Sequence, residues 1–129
     1  MHSAAKDFLI ECDSLYDFLS RVDDKDLQRV TQFKNWTIED IIAHLHMWNV
    51  AALFTLENQK QFHAFLTDTL PVLGQEGHIG AQRFWLKKHS NNAHGRALID
   101  TWRAFYPQLA AAYGQAAPDQ RVAWVGPEM

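Results

Sequence analysis

Seven histidines, a single cysteine and a few arginines are the side chains of this 129-residue chain best suited to chemistry. His44 and His46 sit in one strongly patterned stretch. Two steps along a helix turn them about 200° apart, so one metal ion cannot take both. Helical metal sites pair ligands three or four residues apart, and this stretch offers one such pair, Asp40 with His44. His44 follows Ile41 by three residues and precedes Trp48 by four, which borders it on an apolar stripe and points it toward the interior, with His46 on another flank. By periodicity alone His44 reads first as a core-edge histidine hydrogen-bonded to a neighbouring carbonyl or side chain, ahead of a metal ligand paired with Asp40. His63, His78, His89 and His94 fall in or beside loops and read as solvated, and His2 belongs to the terminus. Cys12 lies on an apolar helical face and reads as an inert core thiol. Arg83, Arg96 and Arg103 could receive a carboxylate, with solvation as their default. Asp23, Asp24 and Asp26, interleaved with Lys25, read as a solvated connector.

The elements that hold these residues are helical almost throughout. Phe8, Cys12, Leu15, Leu19 and Val22 recur at spacings of three and four, which predicts a helix over 4–22. The next signal is the strongest: in NWTIED, Thr37 and Asp40 form a capping box, and Trp36 with Ile41 is placed as a hydrophobic staple. Ile41, Leu45, Trp48, Ala52 and Leu56 continue as a stripe, predicting a helix over 38–58. Residues 60–73 predict a shorter helix ending near Pro71 and Gly74, GQEGH a loop, and 79–89 another short helix. Leu98, Trp102, Phe105, Leu109 and Tyr113 mark a long last helix, bent by Pro107 and closed by Gly114. The tail PDQRVAWVGPEM reads as extended or looped. Together these elements predict one all-α helical bundle domain over 1–129. It has three long helices and two short ones where an up-and-down bundle wants four long ones, so that its last long helix is expected to be lacking.

Composition narrows the functional classes. Hydrophobic residues make up 47% and charged residues 21%, which excludes wholesale disorder. The formal charge of −3 carries no basic patch, which argues against nucleic acid as a partner. No apolar run is long enough to predict a membrane span, and the N-terminus lacks the apolar stretch of a signal peptide. One lone cysteine fits a reducing cytoplasm. No Gly-rich phosphate loop follows a predicted strand.

Residues 35–53, NWTIEDIIAHLHMWNVAAL, carry a more specific pattern of Trp, Thr, Asp, an apolar pair and Ala-His-Leu. It resembles the metal-binding N-terminal domain of the mycothiol-dependent maleylpyruvate isomerases, a branch of the DinB-like helical bundles. FKNWTIEDIIAHLHMWN, GRALIDTWRAFYPQLAAAY and the closing VAWVGPEM resemble an uncharacterised bacterial subgroup in collinear order. The resemblance implies an up-and-down bundle around a divalent metal, most often zinc, with His44 of the Ala-His-Leu element as one ligand. The family's other ligands are a Glu and a His four residues apart on the last long helix, which follows a Trp-x-Gly-Pro element. Here that element is Trp124, Val125, Gly126 and Pro127, and the sequence stops two residues later, so neither ligand has a counterpart.

Three expectations follow from that departure: a fragment of a longer protein, a short form that has lost the site, or a second copy that completes the bundle. The leading functional expectation is a metal-dependent domain of a thiol-dependent isomerase or transferase. The metal would activate a low-molecular-weight thiol (mycothiol, bacillithiol or glutathione) toward a small-molecule substrate, with Trp48 and Trp102 lining the pocket. The alternative is a non-enzymatic interaction module whose open groove is covered by a partner or by its own copy in a homodimer.

Overall fold

A computed structural model describes residues 3–115, and these form four helices: α1 (Ser3–Ser20), α2 (Ile38–Glu57), α3 (Gln59–His89) and α4 (Gly95–Gln115). A short 3-10 turn, Asp24–Gln28, interrupts the α1–α2 connector and buries Leu27. The tail from residue 116, with Trp124 to Pro127, lies outside the described residues, as does His2.

The start of α2 is built as its sequence dictates. Thr37 Oγ accepts the Asp40 backbone N–H at 3.0 Å, and the Asp40 carboxylate accepts the Thr37 N–H at 3.0 Å. Two of the backbone donors that the start of the helix leaves open are thereby satisfied. Just ahead, Lys34 and Asn35 take left-handed conformations, and the Thr31 N–H donates to the Trp36 carbonyl at 2.8 Å, which closes the connector.

α3 follows its sequence reading in part. Two helical pieces, together spanning Gln59–His89, meet across a kink inside the expected GQEGH loop. Pro71 does not end the helix, because a proline removes a single donor, and the helix continues through Val72 and Leu73. The loop contracts to one residue, Gly77, at φ 79° and ψ −175°, a backbone region essentially open only to glycine. That break redirects the chain before His78.

α2 and α4 form the centre. α2 packs against both α3 and α4, α4 packs also against α1, and among the described residues α1 and α3 do not meet. The core between them holds Leu19, Ile42, Met47, Leu86, Leu98, Ile99, Trp102 and Tyr106, all sealed from solvent. Phe8, Cys12, Leu15 and Val22 of the α1 stripe pack against this cluster.

The two faces of α2 are assigned the other way round from the wheel reading. Ile42, Ala43, His46, Met47 and Ala51 are buried, whereas Ile41, Leu45, Trp48 and Ala52 are half-buried. His46 therefore faces the interior and His44 the flank. A helix gripped on two sides is apolar on two sides, so a single-stripe reading picks the wrong one.

The arginines are structural rather than solvated. Arg96 donates to the Leu19 carbonyl at 2.7 Å and to the Val22 carbonyl at 2.6 Å, and pairs with Asp24 at 3.0 Å. It thus satisfies open carbonyls where α1 ends. Arg83 donates to the Ala93 carbonyl at 3.0 Å, and Arg103 lies over the rings of Tyr16 and Tyr106.

Candidate functional site

His44 is half-buried on the flank of α2, in a ring of aromatic and polar groups. Its imidazole meets the Trp36 indole edge-on at 5.4 Å between centroids, His78 at 5.9 Å and Trp48 at 6.3 Å. Its Nδ1 lies 3.0 Å from Oε1 of Gln82, a fully buried side chain whose Nε2 donates to the Asp40 carbonyl at 3.1 Å. The capping box aims the first turn of α2, the Gly77 break brings His78 across from α3, and Gln82 follows one turn later. Burial lowers the His44 pKa below its ordinary value, opposed by the bond to Gln82 and reinforced by His78 and Lys34. The ring is therefore neutral at physiological pH, the form in which imidazole binds metals.

His78 is exposed, as expected of a surface residue, and its ring nevertheless stands in this group. Gln82 escaped sequence reading altogether. The available signal was their spacing: residues 78 and 82 are one turn apart and share a helical face. Trp48 lines the site as expected. Trp102 does not, because it is wholly buried against Tyr106 at 4.8 Å in the core. Asp40 is occupied by the capping box, so the Asp40–His44 ligand pair does not form.

His46 occupies a different environment. Its ring packs edge-on against Trp85 and Phe105, both at 5.6 Å, at the floor of a recess of about 690 Å³ between α2, α3 and α4. Its Nδ1 is buried with no hydrogen-bond partner, and burial depresses its pKa to about 4. Cys12 matches the inert-thiol reading: burial, with Asp13 and Glu11 nearby, pushes it up to about 11. Of the remaining histidines, His63 and His89 are exposed, and His94 stands 3.6 Å from the Glu39 carboxylate.

Among the described residues no cluster of three or more His, Cys, Asp or Glu side chains could hold a metal ion. What they supply is one oriented neutral imidazole, His44, with a second, His78, against it. That fits one protein ligand of a divalent ion without completing a ligand set. No helix among the described residues is long and apolar enough to cross a membrane.

Four helices, a capped α2 and a flank histidine in an Ala-His-Leu element define a DinB-like all-α bundle. The family model of the mycothiol maleylpyruvate isomerase N-terminal domain matches residues 8–129, and the chain belongs to that family. Comparison with curated proteins and with solved structures found no match.

Proposed function

We propose that this domain binds a divalent metal, zinc foremost, through His44, and serves a thiol-dependent isomerase or transferase acting on a small molecule. The observation that carries the reading is the setting of His44: a neutral, half-buried imidazole, hydrogen-bonded through Nδ1 and walled by Trp36 and Trp48. Membership of the mycothiol maleylpyruvate isomerase N-terminal family supports the same reading. A divalent ion at this position supplies Lewis acidity, which stabilises a thiolate at neutral pH. The chain's own contribution is to hold the imidazole in place, keep it uncharged and flank it with apolar rings that limit water.

Calorimetric titration of the protein with zinc chloride tests the proposal. Saturable binding is expected in the wild type and in His63→Ala, with loss in His44→Ala. Equal uptake by wild type and His44→Ala, or none by either, overturns it.

A further inference from the structure

The hydrogen bonds around Gln82 determine more than the position of His44. The Asp40 carbonyl has lone pairs and no proton, so the Gln82 group facing it at 3.1 Å must be the amide NH2. The opposite orientation would set two oxygens against each other in a buried place. With the NH2 committed to Asp40, the other end of the amide, Oε1, faces His44 Nδ1 at 3.0 Å. Oε1 can only accept. Nδ1 must therefore carry a proton, and the neutral ring keeps its lone pair on Nε2.

Every part of this chain of donors is fixed by the fold. The Asp40 carbonyl belongs to the first turn of α2, which the capping box anchors. Gln82 is 0% exposed, with buried Ala81 beside it and buried Trp85 and Leu86 close behind on α3, so its amide has no water to turn toward. Gln82 and His44 are 38 residues apart in sequence, and the bond between them crosses from α3 to α2.

We propose that Gln82 is a positioning residue that locks His44 into its Nδ1–H tautomer and presents the Nε2 lone pair as the ligand atom for a divalent cation. The inference rests on the metal-binding reading of His44. The lock itself exists without metal, which lets the two be tested separately. A ligating histidine whose second nitrogen donates to a fixed acceptor binds metal more tightly, because neither ring orientation nor tautomer has to be selected on binding.

The test begins with long-range 1H–15N NMR of the metal-free protein at neutral pH. The His44 ring is expected to show the pattern of the Nδ1–H tautomer. Gln82→Met, similar in length but without the acceptor or the donor, is expected to lose that bias. Its zinc affinity, measured by titration with zinc chloride, is expected to fall by about 10–100-fold with unchanged helical circular dichroism. Gln82→Glu keeps an acceptor for Nδ1–H and is expected to retain the tautomer. A wild-type His44 in the Nε2–H form overturns the proposal outright, as does Gln82→Met with the wild-type tautomer and zinc affinity. If Gln82→Met fails to fold, the wild-type spectrum and Gln82→Glu still decide it. A wild type that shows the Nδ1–H form yet binds no zinc overturns the metal reading and leaves the lock standing.

Discussion

The carboxylate of Glu39, in the first turn of α2, accepts the backbone N–H of Gly95, the first residue of α4. A buried anion thus sits at the N-terminus of a second helix, where the unpaired N–H groups and the helix dipole favour negative charge. Its other oxygen stands 3.9 Å from Arg83 Nη1 and 3.6 Å from His94. The two central helices are clasped at one end by this carboxylate.

Removing that clasp has a defined cost. Glu39→Ala leaves the Gly95 N–H unpaired and takes the anion away from Arg83 Nη1, which is buried with no hydrogen bond of its own. The loss is expected to be about 1.5–3 kcal/mol in urea denaturation, with Glu39→Gln in between because its amide oxygen still accepts. An Glu39→Ala midpoint equal to that of the wild type would show that the clasp contributes nothing.

His46 makes stability depend on pH. The unfolded chain takes up a proton near the ordinary value of 6.5, and the folded chain only near 4. Between those values the unfolded state binds more protons, so stability falls as pH falls through the window and levels off beneath it. The full loss is roughly 3 kcal/mol. His44, also lowered by burial, acts with the same sign. His46→Phe keeps an aromatic ring against Trp85 and Phe105 but cannot titrate. Its denaturation midpoints, measured from pH 7 to 4, are expected to fall less steeply than those of the wild type, and parallel curves would contradict the assignment.

The exchange of roles between His44 and His46 marks where sequence reading succeeds and where it stops. The cap of α2 was legible because Thr37 and Asp40 interact within four residues. Helix existence was legible for α1, α2 and α4 for the same local reason. The rotation of α2 was not, since Ile41, Leu45 and Trp48 on one side and Ile42, Met47 and Ala51 on the other are equally apolar. Only contact with both α3 and α4 decides which side is sealed. The metal-ligand candidate His44 came from a short motif and so was visible. Its partners His78 and Gln82 were not, because the bond from α3 depends on how Gly77 redirects the chain.

Arg96 couples α4 to the end of α1 through a fork that lysine cannot reproduce. Its Nη1 and Nη2 reach two separate carbonyls, Leu19 and Val22, while Nε and Nη2 also engage Asp24. Arg96→Lys retains the charge but can satisfy only part of this set, and a destabilisation of about 2 kcal/mol is expected. Asp24→Ala should lose less than about 1 kcal/mol, because that carboxylate is largely exposed and its pairing is screened by water. Urea denaturation of the two variants separates them. Equal effects would assign the stabilisation to the ion pair rather than to the carbonyls.

Gly77 and Gly74 lie three residues apart in α3, and alanine at each is expected to act in opposite directions. Neither position would crowd an added Cβ, so sterics with neighbours do not distinguish them. The backbone does. Gly74 lies in regular helix, where alanine narrows the unfolded ensemble and favours the helix, so Gly74→Ala should gain about 0.4–1 kcal/mol. Gly77, at φ 79° and ψ −175°, occupies a region that costs other residues about 1–3 kcal/mol, and Gly77→Ala should lose that amount. A chain that relieves the strain by continuing the helix through residue 77 also rotates His78 away from His44. Its 5.9 Å ring contact would then disappear, together with the ring-current shift that His78 imposes on the His44 protons. Gly77→Ala with unchanged stability and an unchanged His44 spectrum would show that the break is not what brings the two imidazoles together.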